Sequence, residues 1–452
     1  MSSLLQNASG YAAAFKAADT TSEPMRRAIK EWFELYFQDK PTSKEDPCQR
    51  IPYTIVNKLT KTVFSEYTAT TENAFAKGIL GALGSCSGIA MQMALIGGEC
   101  ALKPVPVAKG FRFVVVPRNN ILVFARNVHG EMTDIGTVEV TTSGNLYYTL
   151  LERRTVDEKG FLQIRYKLFK SYSKDNLGQQ VPLSSLPQYE ELQEEYIFTK
   201  PVSSIGLISL RTPMVNCVDG SSDAVSVYAA AVGLIHNINR NEFQLCGEFD
   251  RGESRIAVSA DVLKFKDGNK AIEDNIFVGL DDDPETIGFN IFSPTLREAS
   301  FLARKQEYLR NVENIIGLKR GLLSEVEAAE RTATEITSSA GDYNLTIIDF
   351  QQMWEKSVQE AMRVCGILGH LYKVTGAQDI PEDAVTINWG NGVLYDEAKV
   401  YAEMKEQVSM GLLQPERLVG WYYNLPCDTP AERAKIRELY MPEVEAEEEE
   451  DE

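Results

Sequence analysis

The chain has 452 residues, 44% hydrophobic and 25% charged, with 65 acidic against 46 basic side chains and a formal net charge of −19. That length exceeds one core and implies about two to four domains. So acidic a surface repels phosphate and excludes tight nucleic-acid binding, while leaving room for a protein past which DNA merely slides.

In chain order, Met25–Tyr36 is predicted as an amphipathic helix with Ile29, Trp32, Phe33 and Tyr36 on one face. Asp39–Gln49 is a polar linker. A second helix is expected over Ile51–Tyr67 and a third over Glu72–Gly84. Ser85–Gly88 then reads as a small-residue spacer before an apolar run ending at Gly97 and Gly98. From Glu99 to Tyr196 the period becomes two, predicting an antiparallel region of about 100 residues. Its expected strands are Phe111–Pro117, Asn120–Arg126, Thr137–Val140, Leu146–Arg153, Phe161–Leu168 and Tyr196–Phe198, with turns at Asn127–Gly130 and Asp157–Gly160.

Val225, Tyr228, Ala231, Ile235 and Ile238 give Asp223–Glu248 helical spacing. A short strand-rich insert follows, with strands expected at Ser254–Lys264 and Asn275–Gly279, and turns at Asp267-Gly268-Asn269 and Asp281-Asp282-Asp283-Pro284. Ser293-Pro294 signals a new helix carrying Phe301, Leu302, Leu309, Val312 and Ile316. Gly317-Leu318-Lys319-Arg320-Gly321 breaks it, and a long striped helix is expected from about Leu345 to Tyr372. After a strand-like Val385–Asn388 come helices over Glu397–Met410, Pro415–Tyr422 and, from a capping box at Thr429, to near Tyr440. Glu443–Glu452 is nearly all acidic and cannot bury apolar area, so it is expected to be disordered.

No persuasive catalytic constellation emerges. There is no GxxxxGKS/T loop, and the glycine-spaced Gly78–Gly84 follows a helix, so it reads as a close-packed helix surface. The seven cysteines are scattered without a CxxC, and none of the three histidines has a ligand-spaced partner. Buried free thiols, no metal and no cofactor are the expected outcome. Glu191, Glu194 and Glu195 read as a solvated face, and Asp281–Asp283 as a solvated turn lacking the order of a calcium loop. No apolar stretch reaches the ~18 uninterrupted residues of a membrane span. The opening residues lack the basic-then-apolar order of a secretion signal, so a cytosolic setting is expected. Lys319 and Arg320 admit two readings: basic side chains on a helix C-terminal dipole, or two cations exposed to a polyanion.

The order helix, small insert, helix, glycine-marked loop, long helix resembles the portal proteins of tailed phages and prophages, most of all those of phages of Gram-positive bacteria. The resemblance rests on collinear fragments. Ile29-Lys30-Glu31-Trp32 and Ile55 to Glu66 are similar to the opening helices. Gly97 to Pro104 resembles the start of the β region, and Ser226-Val227-Tyr228, Glu242-Phe243 and Ser254 to Val258 resemble the first stem helix and clip strand. Gly317-Leu318 with Thr332 to Ile336 is the most distinctive match, and Asp396-Glu397 with Val408 to Leu413 resembles the closing segment. The chain departs from the family pattern at the crown, which is short and ends in the acidic tail.

The resemblance implies an α+β portal fold with long stem helices and an antiparallel β region in the wing. The wing would be 1–221, the first stem helix 222–248, the clip 249–293 and the second stem helix 294–316. A tunnel loop would occupy 317–330, a long wing helix 331–376, a helical crown 377–441 and the acidic tail 442–452. It implies a homo-oligomeric ring of twelve at one capsid vertex, assembled in the host bacterial cytoplasm, that channels DNA in packaging and ejection. The implied partners are terminase, major capsid and scaffolding proteins, a head–tail adaptor, and double-stranded DNA passing without sequence specificity; no membrane and no enzymatic activity are implied. Within that frame Lys319 and Arg320 are candidate DNA-channel residues, and Asp281, Asp282 and Asp283 candidate adaptor-docking residues. The polar stem residues Asn237, Asn239, Arg240, Asn241, Arg304, Lys305, Arg310 and Asn311 read as solvated faces. A different ring-forming neck or baseplate protein is the competing reading, and a hydrolase with a scattered site a more distant one.

Overall fold

The computed structural model describes residues 8–37, 47–174, 176–251, 255–258, 264–266, 269–271, 289–292, 295–325, 333–381, 383–390, 397–423 and 425–441. The fold is α+β, and the chain divides into two compact units, Met1–Val63 with Ala69–Thr386, and Phe64–Thr68 with Ile387–Glu452.

In the larger unit, α1 (Ala8–Phe15) lays Tyr11 and Phe15 on the first sheet, against Leu122, Phe124, Val138 and Leu151. α2 (Glu23–Phe37) buries Met25, Ile29, Trp32, Phe33 and Tyr36, the face its sequence period marks. α3 (Ile51–Val63) ends four residues earlier than expected. The reason lies in the smaller unit, where Phe64 and Tyr67 leave the helix to pack on Trp389, with ring centroids 6.4 and 4.8 Å apart. After β1 (Thr68–Thr70), α4 runs unbroken from Ala74 to Gly97, straight through the expected spacer. Asn73 caps it by accepting from the Phe75 and Ala76 amides at 3.0 Å. Phe75, Ile79, Leu83, Cys86, Ala90 and Ala94 keep one buried stripe through the glycine-rich stretch, which holds the helix where propensity alone would end it. By length and composition alone this helix could cross a bilayer, but that stripe is packed into the protein core.

Gly98 stops α4 at φ 79°, and a Cβ there would meet the Ala224 carbonyl at 2.5 Å. β2 (Glu99–Val107) pairs with β3 (Gly110–Pro117) and with β10 (Ile208–Arg211) in one antiparallel sheet. A second sheet runs β4 (Ile121–Arg126), β5 (Met132–Ser143), β6 (Leu146–Val156), β7 (Leu162–Ser171) and β8 (Gln179–Val181), with β9 (Glu195–Ile197) added on β7. Ala101, Ile121, Val123, Met132, Ile135, Ile205 and Leu207 form the core that joins the two sheets. The turns at Asn127–Gly130 and Asp157–Gly160 close with backbone bonds of 3.0 and 2.9 Å.

The helix expected from Asp223 begins only at Val232, as α5 (Val232–Arg251), after a 3-10 turn at Ala229–Ala231. Residues 223–228 are instead tied to other elements. Ser226 Oγ and the Val227 amide both donate to the Leu95 carbonyl, at 3.0 and 2.9 Å, and Thr212 Oγ1 donates to the Val225 carbonyl at 2.7 Å. Tyr228 Oη donates to the Trp32 carbonyl at 2.8 Å. These long-range partners override helical spacing. In the insert, β11 (Arg255–Val258) pairs with β14 (Phe289–Phe292), and β12 (Lys264–Lys266) with β13 (Asn269–Ala271). The expected strand Asn275–Gly279 and the turn Asp281, Asp282, Asp283 lie outside the described residues, as do Ser293 and Pro294. α6 (Glu298–Ile316) starts after Arg297, later than the serine–proline signal suggests. α7 (Ala333–Leu371) is 39 residues long, twelve residues longer at its start than its stripe indicates, and Ser357 Oγ ties it to the Ser209 carbonyl at 3.1 Å.

The smaller unit holds α8 (Glu397–Ser409), α9 (Pro415–Tyr422) and α10 (Pro430–Tyr440). The expected capping box is present, with the Glu432 amide on Thr429 Oγ1 at 3.3 Å and the Thr429 amide on Glu432 Oε2 at 2.9 Å. Arg437 Nε reaches the buried Glu416 Oε1 at 2.6 Å and ties α10 to α9.

Candidate functional site

The singled-out loop follows α6. Gly317 caps the helix in the left-handed region at φ 74°, and the Leu318 amide closes on the Glu313 carbonyl at 2.8 Å. Lys319 and Arg320 follow, both exposed, and neither makes an ion pair or side-chain hydrogen bond among the described residues. The backbone around them is nonetheless fixed. Glu313, fully buried, turns its carboxylate into the loop and accepts from the amides of Gly321 (3.3 Å), Leu323 (2.5 Å) and Ser324 (2.9 Å) and from Ser324 Oγ (2.7 Å). Lys58 Nζ donates to the Leu322 carbonyl, and Gln306 Oε1 accepts from the Glu325 amide at 2.8 Å. The loop base is closed by Thr346 Oγ1 donating to the Gly317 carbonyl at 3.2 Å. Sequence reasoning named the two cations and missed the anchor. The available signal was a carboxylate inside the buried stripe Leu309, Val312, Ile316.

The helix pair leading into the loop is stitched by polar contacts. Asn241 Nδ2 donates to the Phe301 carbonyl at 3.0 Å, and Lys305 Nζ reaches Glu242 at 2.9 Å and Gln49 Oε1 at 3.0 Å. Asn239 Oδ1 accepts from the Gln49 amide at 2.9 Å, and Arg297 forms a two-pronged pair with Glu248 at 3.0 and 2.8 Å. Asn239 and Asn241 are therefore buried connectors and Lys305 is half-buried, which corrects their reading as solvated faces. The exposed remainder converges on an open groove of about 550 Å³ between α5 and α6, lined by Asn237, Arg240, Gln244, Arg297, Arg304 and Tyr308 among others.

Two buried ionic networks hold the sheets of the larger unit. In one, Arg126 bridges Glu99 (3.0 Å) and Asp223 (2.8 Å), Arg118 Nη2 lies 3.5 Å from Asp223, and Ser209 Oγ donates to Glu99 at 2.9 Å. Burial pushes the Glu99 carboxyl up, but Arg126 and Arg118 outweigh it and hold the group below the usual carboxylate range. In the other, Glu152 lies between Lys103 and Arg154, and Arg154 Nη1 also donates to the Ile205 and Gly206 carbonyls at 3.1 and 3.0 Å. Burial again opposes ionisation, yet Arg154 and Lys103 bring Glu152 down to about 2. Every acid in these networks is matched by a base, so they read as structural clasps. Burial raises the Cys100 and Cys365 thiols, which leaves them unreactive. Among the described residues no group of three or more His, Cys, Asp or Glu side chains could hold a metal ion. A second cavity, of about 740 Å³, lies between α7 and the sheets and carries mixed charge, with Arg211, Lys356 and Arg363 beside Glu131, Asp349 and Glu360.

A paired-helix hairpin with a strand insert, followed by a pinned cationic loop and a long helix, defines a scaffold-like architecture. Residues 113–435, more than two thirds of the chain, match the family described as phage portal protein, SPP1 Gp6-like. The chain belongs to that family of structural phage proteins. A search of curated proteins found no match. Among solved structures the chain is similar to a protein in the neck of a native GTA particle computed with C12 symmetry, at 12% identity and a TM-score of 0.43, over 93% of this chain and 99% of that one.

Proposed function

We propose that the protein forms a ring of twelve copies at one capsid vertex, a channel for DNA during packaging and ejection. Family membership over residues 113–435 carries this reading, together with the exposed Lys319 and Arg320 on a loop pinned at the end of α6. In this reading 1–221 is the wing, 222–248 and 294–316 the stem helices, 249–293 the clip, 317–330 the tunnel loop, 331–376 the long helix returning into the wing and 377–441 the crown. Terminase docks during packaging and a head–tail adaptor afterwards, with Asp281, Asp282 and Asp283 of the clip offered to the adaptor. Major capsid and scaffolding proteins surround the ring within the virion. The resemblance of Gly317-Leu318 and Thr332 to Ile336 to the portals of phages of Gram-positive bacteria supports a kinship with that group.

The chain carries a net charge of −19, and an acidic wall repels phosphate, so the duplex slides without adhering. Lys319 and Arg320 of each copy supply weak, exchanging phosphate contacts whose repetition around the bore retains the DNA. Electron microscopy of the purified full chain is expected to reveal rings with a central hole. A chain that stays solitary at high concentration and inside particles overturns the reading. Replacing Lys319 and Arg320 by alanine is expected to weaken DNA retention; unchanged packaging and retention remove their role.

A further inference from the structure

We propose that the groove between α5 and α6 is a second phosphate-backbone contact site for duplex DNA, separate from Lys319 and Arg320; it rests on the portal reading. Three guanidinium groups, of Arg240, Arg297 and Arg304, converge on it in a chain where acids outnumber bases 65 to 46. Glu248 pairs with Arg297, but Arg240 and Arg304 are exposed and have no carboxylate partner among the described residues. In so acidic a protein, two cations in one groove without a carboxylate partner among the described residues suit an external anion.

The guanidinium groups are also ordered. Arg304 lies over the Tyr308 ring at 4.5 Å and Arg297 over the Phe301 ring at 5.8 Å. The Nε and Nη2 edge of Arg297 is taken by Glu248, but Arg304, set over its ring, keeps its N–H edge without a partner among the described residues, which suits a phosphate. The two arginines without a carboxylate partner among the described residues, Arg240 of α5 and Arg304 of α6, come from facing helices and reach the groove from opposite sides. Besides the Phe301 and Tyr308 rings, over which Arg297 and Arg304 lie, the lining is polar, with Asn237, Asn241, Gln244 and Ser300. This favours contact with the backbone without sequence preference.

The test uses full-length protein with Arg240→Gln and Arg304→Gln together, leaving the Arg297–Glu248 pair intact. Ring formation is scored by electron microscopy, folding by thermal unfolding, and affinity for a linear mixed-sequence duplex as a function of salt. The variant is expected to unfold as the wild type does, to form rings, and to show a salt slope shallower by about one unit or more. Lys319→Ala with Arg320→Ala, measured in parallel, is expected to give a separate and additive decrement. Variant rings with an unchanged slope overturn the groove while the portal reading stands, and wild-type rings that bind no duplex do the same. Loss of rings in the variant alone assigns the groove to carboxylates of a second copy and overturns the DNA contact. Absence of rings in the wild type removes the portal reading and this inference with it.

Discussion

Replacing Glu313 by alanine should release the loop that carries Lys319 and Arg320. The carboxylate is fully buried and satisfies four donors, from Gly321, Leu323 and twice from Ser324. A hydrogen bond to a charged group contributes about 1.5–3 kcal/mol, so the set is worth several kcal/mol in place. Water can reach the donors once the loop opens, which limits the net loss to about 3–5 kcal/mol. Glu313→Gln keeps the volume but turns an amide donor toward backbone N–H groups, so it should lose nearly as much. Hydrogen exchange at Gly321, Leu323 and Ser324 reads this directly; a loss of ~3 kcal/mol in local opening accelerates exchange by about two orders of magnitude. Amides 321–324 that stay equally protected in both variants would refute the anchoring argument. Sheet amides in Leu146–Val156 serve as the internal control.

Acid should unfold the larger unit partly through Glu152, whose carboxyl sits at about 2 against an ordinary 4.5. A depressed carboxylate stabilises fully above the unfolded value and loses that contribution as pH falls from about 4.5 through about 2, some 3 kcal/mol in all. Urea midpoints across that window should drop steeply in the wild type and more gently in Glu152→Gln, which is also less stable at neutral pH; parallel curves would count against it. Gly98→Ala places a methyl at φ 79° within 2.5 Å of the Ala224 carbonyl, and should cost about 3 kcal/mol or more in chemical unfolding. Thr429→Ala removes the cap of α10 and should cost about 1 kcal/mol, seen as faster exchange at Glu432 and Arg433 with the larger unit unaffected.

Where burial follows local period, the sequence foretold structure well: the α2 face, the β6 and β7 strands, and the Thr429 cap all stand close to where side-chain spacing places them. It failed where distant partners decide. The stripe through Tyr228 and Ile235 has helical spacing, yet residues 223–228 are fixed by Leu95, Thr212 and Trp32, partners 13 to 196 positions away. Ser85–Gly88 looks like a break, yet α4 passes through it because Cys86 and Ala90 continue a buried stripe. At the loop, glycines and cations were visible as residue types. Glu313 was hidden because its role depends on chain that folds back over it.

Thr346 and Gly317, joined at 3.2 Å, stand 29 positions apart. That bond fixes the base of the excursion between them without reference to how much chain the excursion contains. Closing a longer excursion adds only about 0.6 kcal/mol for each doubling of length. Residues inserted or deleted between Glu325 and Ala333 should therefore leave the two sheets of the larger unit undisturbed, because the tie at the base holds whatever length of chain lies beyond it.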